Sequence, residues 1–364
     1  MPRIDAKRLT DFTAALFEAN DIPAPVARQV AQSLVLANLK GHDSHGVIRI
    51  LEYVDWVKRG WVNPNGKLSI LREQPCILVL DGDFGFGQVV ARDAMNLGIP
   101  KARREGVCVL SLRRSGHLGR VGEFMEMAAE AGLVAFSFTN THGAGVLVAP
   151  HGGFERRLSA NPLGGGTPMP GHAPMVMDIS TSTIAEGKIK VARSKGESLA
   201  PGLFVNGRGE PSTSPEEYYS QPPGALLPMG GHKGFALSLF CEVMAGALTG
   251  AGCSKPGVDR VGNGFMVFLL DPKAFSGSEF FDNELGHLAG WVKSSRTRPG
   301  VEGILLPGEP ESQAHDKRLQ SGIQIDQNTW DRIGAIAKRC QVPVPRSEEH
   351  TSELQSLAYL VCRL

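Results

Sequence analysis

The sequence predicts a mixed α/β (α+β) fold, a β-rich centre between mainly helical ends, and three observations predict it. Apolar residues recur at helical spacing through residues 5–40, at Leu9, Phe12, Leu16 and Phe17 and again at Val30, Leu34 and Leu36, with NDIPAP as the break between helices. From Leu68 the texture changes to short β-rich runs, CILVLDG, GVCVLSL, LVAFSFTN and PMVMDIS, punctuated by Gly and Pro. Helical stretches at 88–105, 120–131 and 235–248 lie between them, and that interleaving argues α/β or α+β layers. A Gly- and Pro-dense segment, SSRTRPGVEGILLPGEPE, then reads as an exposed connection. GIQIDQNTWDRIGAIAKRCQVPVP reads as a closing helix stopped by prolines.

Composition bounds the function. The 364 residues, 42% hydrophobic and 21% charged, suffice for one large or two medium cores without disulfides. Basic residues number 38 against 37 acidic, a net charge of +1, so no long-range field gathers a polyanion and nucleic acid is not an expected partner. Cys76, Cys108, Cys241, Cys253, Cys340 and Cys362 form no Cys-x-x-Cys pair and sit mostly among apolar neighbours, as reduced core cysteines do. The amphipathic N-terminus lacks the apolar stretch of a signal peptide, and no run reaches the roughly 18 apolar residues of a membrane span. A cytoplasmic protein without membrane association is the expectation.

Four segments carry groups suited to chemistry. GHDSHGVIRILEY places Ser44, His45, Arg49 and Tyr53 just after a helix. Arg49 and Tyr53 are four apart, which on a helix stacks them on one face, so the guanidinium fork could hold a carboxylate while His45 faces a reacting carbon. The plainer account makes Asp43 and Ser44 a cap and Arg49 a surface charge. In SLRRSGHLGRVGEF, His117 sits at a strand-to-helix turn, where imidazole suits proton exchange near neutral pH, or merely caps the turn. MVMDISTSTIAEGKIKVA runs from an apolar strand to Asp178 and a Ser/Thr cluster. Thr183 and Glu186 there have the spacing of a capping box, and free amides at a helix start could hold phosphate. In LLPMGGHKGFALSLFCEVMAGALTG, Gly230, Gly231 and Gly234 surround Lys233 ahead of an apolar helix, a placement that favours an anion or is simply a Gly-rich turn.

Two signals are missing. His42-x-x-His45 invites a metal, but the chain lacks His-Glu-x-x-His and cysteine pairs, so no metal is expected. A Rossmann fingerprint is also absent: GDFGFG at 82–87 has the wrong order and GAGVLV lacks the third glycine. Any bound dinucleotide needs another architecture.

DSHGVIR, SGHLGR, the MDISTS segment, SANPLGG and GGHKGFALSL, in this order, resemble the malate/L-lactate dehydrogenase-like family, which includes ureidoglycolate and sulfolactate dehydrogenases and an imino-acid reductase. ANLKGHDSHG, LDGDFGFGQ and LLPGEPE resemble most its hydroxycarboxylate dehydrogenase members. The resemblance implies an NAD- or NADP-dependent enzyme interconverting a small 2-hydroxy acid and its 2-oxo acid. It also implies a homodimer, and a non-Rossmann mixed-sheet cofactor domain over 116–284 beside a mainly helical second domain built from both chain ends, 1–115 with 285–345. It implies His117 as acid/base, with Ser44 and His45 beside the reacting carbon as the rival pair, and Arg49, with Tyr53, on the substrate. Gly119, Arg120, Asn140, Asp178, Ile179, Ser180 and Lys233 fall at positions used for the cofactor. An imino-acid (cyclic ketimine) reductase is the alternative inside the family; a metal-dependent hydrolase and a non-catalytic nucleotide-binding protein are the rivals outside it.

Residues 346–356 read RSEEHTSELQS, position for position a translated sequencing-library adapter, so 346–364 are expected to be an artefactual tail rather than a polar extension. Source DNA that runs on through these codons would overturn that expectation.

Overall fold

The structure, a computed structural model, describes residues 1–347, so the expected tail lies outside the described residues from 348 onward. The chain divides into two compact units, Met1–Asn65 with the chain from Gly308 onward, and Gly66–Pro307. The expected division set its boundaries at 115/116 and 284/285. The observed ones lie at 65/66 and 307/308 because the strands between 69 and 115 hydrogen-bond into the central sheet.

The first unit begins with β1 (Arg3–Ile4), α1 (Ala6–Glu18), α2 (Ala24–Leu39) and α3 (Ile50–Lys58). Asp5 starts α1 by accepting the Arg8 amide at 3.0 Å, satisfying one of the donors a helix start leaves open. Leu9, Phe12, Leu16 and Phe17 of α1 and Val30 and Leu34 of α2 bury, the faces the periodicity marks.

The second unit opens with β2 (Ser69–Gln74), β3 (Ile77–Asp81), α4 (Gly87–Glu105), β4 (Val107–Ser115), α5 (Gly122–Glu130) and β5 (Val134–His142). It continues through β6 (Leu163–Thr167), β7 (Met175–Ile179), α6 (Glu186–Lys195), β8 (Phe204–Val205), β9 (Pro211–Ser212), α7 (Pro215–Tyr218) and β10 (Ala225–Leu226). It closes with α8 (His232–Cys241), prolonged by a π-helical turn Glu242–Ala247, then β11 (Gly262–Leu270) and α9 (Ser278–Lys293). The first unit resumes with α10 (Glu309–Ser321), β12 (Ile323–Gln324) and α11 (Gln327–Arg339). There β12 pairs antiparallel with β1, and Trp330 of α11 packs on Phe12 with ring centroids 5.7 Å apart, so both chain ends share one small core.

Seven strands form the central sheet in the order β2-β3-β4-β11-β5-β6-β7. Only β3 and β4 run parallel, because α4 carries the chain back between them; every other neighbouring pair is antiparallel. The expected α/β (α+β) class is therefore the observed one, and the sheet is mixed rather than doubly wound. Leu78 and Leu80, Cys108, Leu110 and Leu112, and Phe265, Val267 and Leu269 alternate onto one face, where Val90, Ala94 and Met95 of α4 and Phe124 and Met125 of α5 cover them.

The last-inserted strand, β11, separates β4 from β5 and must fit between them. From Phe265↔Leu112 to Asn263↔Ser115 it advances two residues while β4 advances three, and Arg114 in the bulge takes a φ of 50°. The buried carboxylate of Asp81 secures the bulge, meeting Arg113 at 3.0 Å and Arg114 at 2.9 Å. A bulge bends the strand and re-aims the residues just beyond it, here Gly116 and His117.

On the other side of β11 the π-helical turn packs so closely that a Cβ at Gly264 would lie 1.8 Å from the Ala245 carbonyl oxygen. Replacing Gly264 by Ala must push that backbone aside; we expect a loss of about 1–3 kcal/mol of stability, read as a lower midpoint in chemical denaturation.

Candidate active site

The candidate residues fall in two sets, one per unit. In the first unit, α2 ends at Leu39 and the chain makes two short 3-10 turns, Asp43–His45 and Val47–Arg49, before α3. The buried amide of Asn38 holds both: its Nδ2 donates to Asp43 at 2.7 Å and its Oδ1 accepts the Val47 amide at 2.8 Å. A Cβ at Gly46 would sit 2.2 Å from that oxygen, so only glycine lets Asn38 reach across. Arg318 of α10 adds a bidentate pair with Asp43 at 2.6 and 3.0 Å and donates to the Asn38 carbonyl at 2.5 Å. His42 Nε2 lies 3.4 Å from Glu311.

On this braced segment Ser44 Oγ and His45 Nδ1 are 2.9 Å apart, and the Arg49 Nε donates to the Ser44 carbonyl at 2.7 Å. Ser44, His45 and Arg49 thus converge, in keeping with their spacing. Tyr53 differs. Arg49 closes a 3-10 turn and, at helical φ and ψ, caps the start of α3, while Tyr53 is buried in α3 with its ring 5.5 Å from that of Trp56. Arg49 Nη1 is instead paired with Glu52, a residue that no sequence motif singles out although its spacing of three makes the pair legible.

In the second unit His117 lies half-buried between β4 and α5. Its turn is fastened from both sides: Gly116 donates to the Gly85 carbonyl at 2.8 Å, and the Leu118 amide donates to Asn263 Oδ1 at 2.8 Å. Asn263 Nδ2 donates in turn to the Asn140 carbonyl and Thr141 Oγ1, both at 2.8 Å, tying the His117 turn to β5. Gly87 packs under it; a Cβ there would lie 2.4 Å from the His117 carbonyl oxygen. Gly119, at φ 77°, allows the turn, and α5 starts at Gly122, later than position 120, because the Asp178 carboxylate accepts the Gly122 amide at 2.7 Å. The structure therefore brings Asp178 to the helix start that follows Gly119, and Ile179 is its neighbour at the end of β7.

Two expected cofactor residues spend their side chains inside the protein. Arg120 is buried in a bidentate pair with Glu126 at 2.9 and 2.8 Å. Asn140, fully buried, donates to Glu242 at 3.2 Å and the Gly252 carbonyl at 2.8 Å, while its Oδ1 accepts the Gly264 amide at 3.0 Å. Glu242, on the π-helical turn, also accepts from Asn161 and from the amide and hydroxyl of Ser254, so this buried carboxylate is well solvated by protein donors. Close by, burial holds the His142 imidazole below the ordinary histidine range, and Glu242 only partly opposes that effect.

Ser180 and Ser182 share a 2.6 Å hydrogen bond at the end of β7. The expected capping box is not formed: Thr183 Oγ1 donates to the Leu203 and Leu227 carbonyls, and α6 starts without a side-chain cap because the loop's contacts with 203 and 227 take that hydroxyl. What the loop meets instead is the glycine turn. Met229 donates to the Thr181 carbonyl at 2.9 Å, and Thr183, Gly230, Gly231 and His151 line one cavity of about 310 Å³. Gly230 and Gly231 sit at φ 61° and 64°, and exposed Lys233 lies in the first turn of α8, which begins at His232 rather than at 235. Among the described residues no group of three His, Cys, Asp or Glu side chains could hold a metal ion, and no helix is long and apolar enough to cross a membrane.

Comparison with known proteins shows the family. Residues 4–334 match the family described as malate/L-lactate dehydrogenase. The chain is 37% identical over 334 residues to the L-lactate dehydrogenase of Cupriavidus necator, covering 91% of this chain and 95% of that protein. It is 34% identical over 359 residues to hydroxycarboxylate dehydrogenase B of Escherichia coli, covering 97% and 99%. Among solved structures, malate dehydrogenase from Pyrococcus horikoshii superposes with a TM-score of 0.85 at 34% identity, over 94% of this chain and 97% of that one. The delta1-piperideine-2-carboxylate reductase of Pseudomonas syringae superposes with a TM-score of 0.79 at 30% identity, over 93% and 100%.

Proposed function

Since the chain belongs to the malate/L-lactate dehydrogenase family, we propose that it is a nicotinamide-dependent oxidoreductase, using NAD or NADP, that interconverts a small 2-hydroxy acid and its 2-oxo acid. The observation that carries this reading is the braced segment that converges Ser44, His45 and the Arg49 guanidinium, inside a chain matched to that family over nearly its whole length.

Arg49 binds the substrate carboxylate and so orients the alpha carbon, which converts a bimolecular encounter into a positioned one. His117 exchanges the proton with the substrate oxygen, accepting it when the hydroxy acid is oxidised and returning it when the oxo acid is reduced. Ser44 and His45, already hydrogen-bonded to one another, are the rival donor pair. A bound nicotinamide supplies the hydride chemistry. For the dinucleotide, the fit lies with Asp178, Ile179 and Ser180 at the end of β7, Gly119 in the turn beside them, and the cavity lined by Thr183, Gly230 and Gly231 ahead of Lys233. Arg120 and Asn140 would act there by shaping backbone, since their side chains are committed internally. Tyr53 would act by packing α3.

A second reading, reduction of a cyclic imino acid, is favoured by the Pseudomonas syringae neighbour, whose name states such a substrate. The carboxylate anchor would serve either reaction.

We further propose a cytoplasmic homodimer. Support for the compartment is that the described cysteines are all unpaired thiols. Support for the dimer is the apolar surface left open on the second unit: Leu239, Phe240, Val243 and Leu248 on and beyond α8, and Phe280, Leu288 and Trp291 on α9, a helix with no buried residue. Light scattering should return twice the chain mass; a monomer at micromolar concentration would remove this part of the proposal.

The activity itself is read by absorbance with a panel of 2-oxo acids and cyclic imines, each offered NADH and NADPH. Turnover of imines alone selects the reductase reading, and chelator-sensitive hydrolysis that consumes no NADH or NADPH would revive the metal-dependent hydrolase. His117→Ala should lower kcat by roughly 10²–10⁴-fold with cofactor affinity, read by NADH fluorescence, nearly intact. Strong activity in that variant moves the proton to His45. Arg49→Ala should act chiefly on kcat/KM for carboxylate substrates, and unchanged kinetics would remove Arg49 from the site.

A further inference from the structure

The anchor proposed for the substrate carboxylate is accompanied by a carboxylate of its own. Glu52 stands three residues beyond Arg49, across the junction from the 3-10 turn to α3, and pairs with Arg49 Nη1 while Nε is held by the Ser44 carbonyl. The side chains are 23% and 36% exposed, so their charges act through only part of the screening that open water provides. The guanidiniums of Arg49 and Arg318 face the carboxylates of Glu52, Asp43 and Glu311, with His42 beside Glu311 and His45 beside Ser44. With Lys40 counted, Lys40, Arg49 and Arg318 stand against Asp43, Glu52 and Glu311, so the fixed charges of residues 40–53 and the two α10 residues that meet them balance. One incoming carboxylate can be received by Arg49; a second one enters a field that Glu52 has already made less positive.

We infer that Glu52 sets the charge class of the substrate, making the enzyme selective for 2-oxo acids with one carboxylate over those with two. The inference rests on Arg49 being the carboxylate anchor and goes one step beyond it, to which acids that anchor accepts. Glu52 is here a specificity residue: it acts on the substrate's distal group through charge and on Arg49 by direct pairing.

The test compares oxaloacetate with 4-methyl-2-oxopentanoate, in which an isopropyl group of similar shape replaces the second carboxylate, in the full-length protein and its Glu52→Gln variant. Glutamine keeps the length and a hydrogen-bonding oxygen but removes the charge. The wild type should prefer the monocarboxylate in kcat/KM by about tenfold or more, and the variant should shrink that ratio by about tenfold, mainly through KM for oxaloacetate. Raising the salt concentration should narrow the ratio in the wild type and hardly move it in the variant. A role confined to packing would not respond to salt in this way. Wild-type preference for oxaloacetate, or an unchanged ratio in Glu52→Gln, overturns the inference while leaving the dehydrogenase reading intact. An equal rise in KM for both acids also overturns it, because Glu52 would then only hold Arg49 in place. Absence of turnover on every 2-oxo acid strikes the underlying reading itself, and the inference with it.

Discussion

The buried amide of Asn263 is the junction on which the second unit turns. Its one oxygen takes the amide just after His117, and its nitrogen gives both hydrogens to β5, so three segments far apart in the chain meet at one side chain. Each of these bonds is modest when weighed against water, about 1 kcal/mol net. Leaving any of the partners unpaired inside the sheet would cost more, and that asymmetry makes the arrangement specific. The bulge in β4 belongs to the same constraint. A strand with one residue too many must bend, and Asp81, buried against Arg113 and Arg114, decides where.

The first unit solves a similar problem with charge instead of sheet registry. A segment of short 3-10 turns has few internal hydrogen bonds, so its shape depends on what grips it from outside. Asn38 and Arg318 do so from α2 and α10, and Gly46 makes room for the Asn38 amide. The outcome is a backbone on which Ser44, His45 and Arg49 are set before any ligand arrives, the condition under which positioning lowers a barrier. Because Asp43 and Glu52 are part of that grip, the electrostatics of the segment come from its architecture.

Much of this could be read from the residues. The amphipathic faces of α1 and α2, the alternation in β3, β4 and β11, and the turn positions of His117 and Lys233 are dictated by periods of 3.6 and 2 and by glycine placement. The segment around Ser44, His45 and Arg49 is legible as a unit because its members are neighbours in the chain. Tyr53 is buried against Trp56 in α3, a packing that the four-residue spacing from Arg49 does not reveal. The capping box at Thr183 and Glu186 fails for a related reason: a hydroxyl with two carbonyls within reach, from 203 and 227, has a better partner than a helix start. The domain boundaries shift because β2, β3 and β4 join their sheet through β11, which lies more than a hundred residues further on.

The sequence by itself determined the fold class, the order of motifs and the family, since these rest on patterns among near neighbours and on several short segments in fixed order. Tertiary structure alone decided which of the polar side chains are available. Arg120 and Asn140 carry the right groups for binding, yet Glu126, Glu242 and the Gly252 carbonyl already engage them, and Asn263 acts through partners 122 to 145 positions away. A hydrogen bond depends on distance and angle between two atoms. Chain position constrains those only over the few residues that a turn or a helix spans, so beyond that range the partners are chosen by packing.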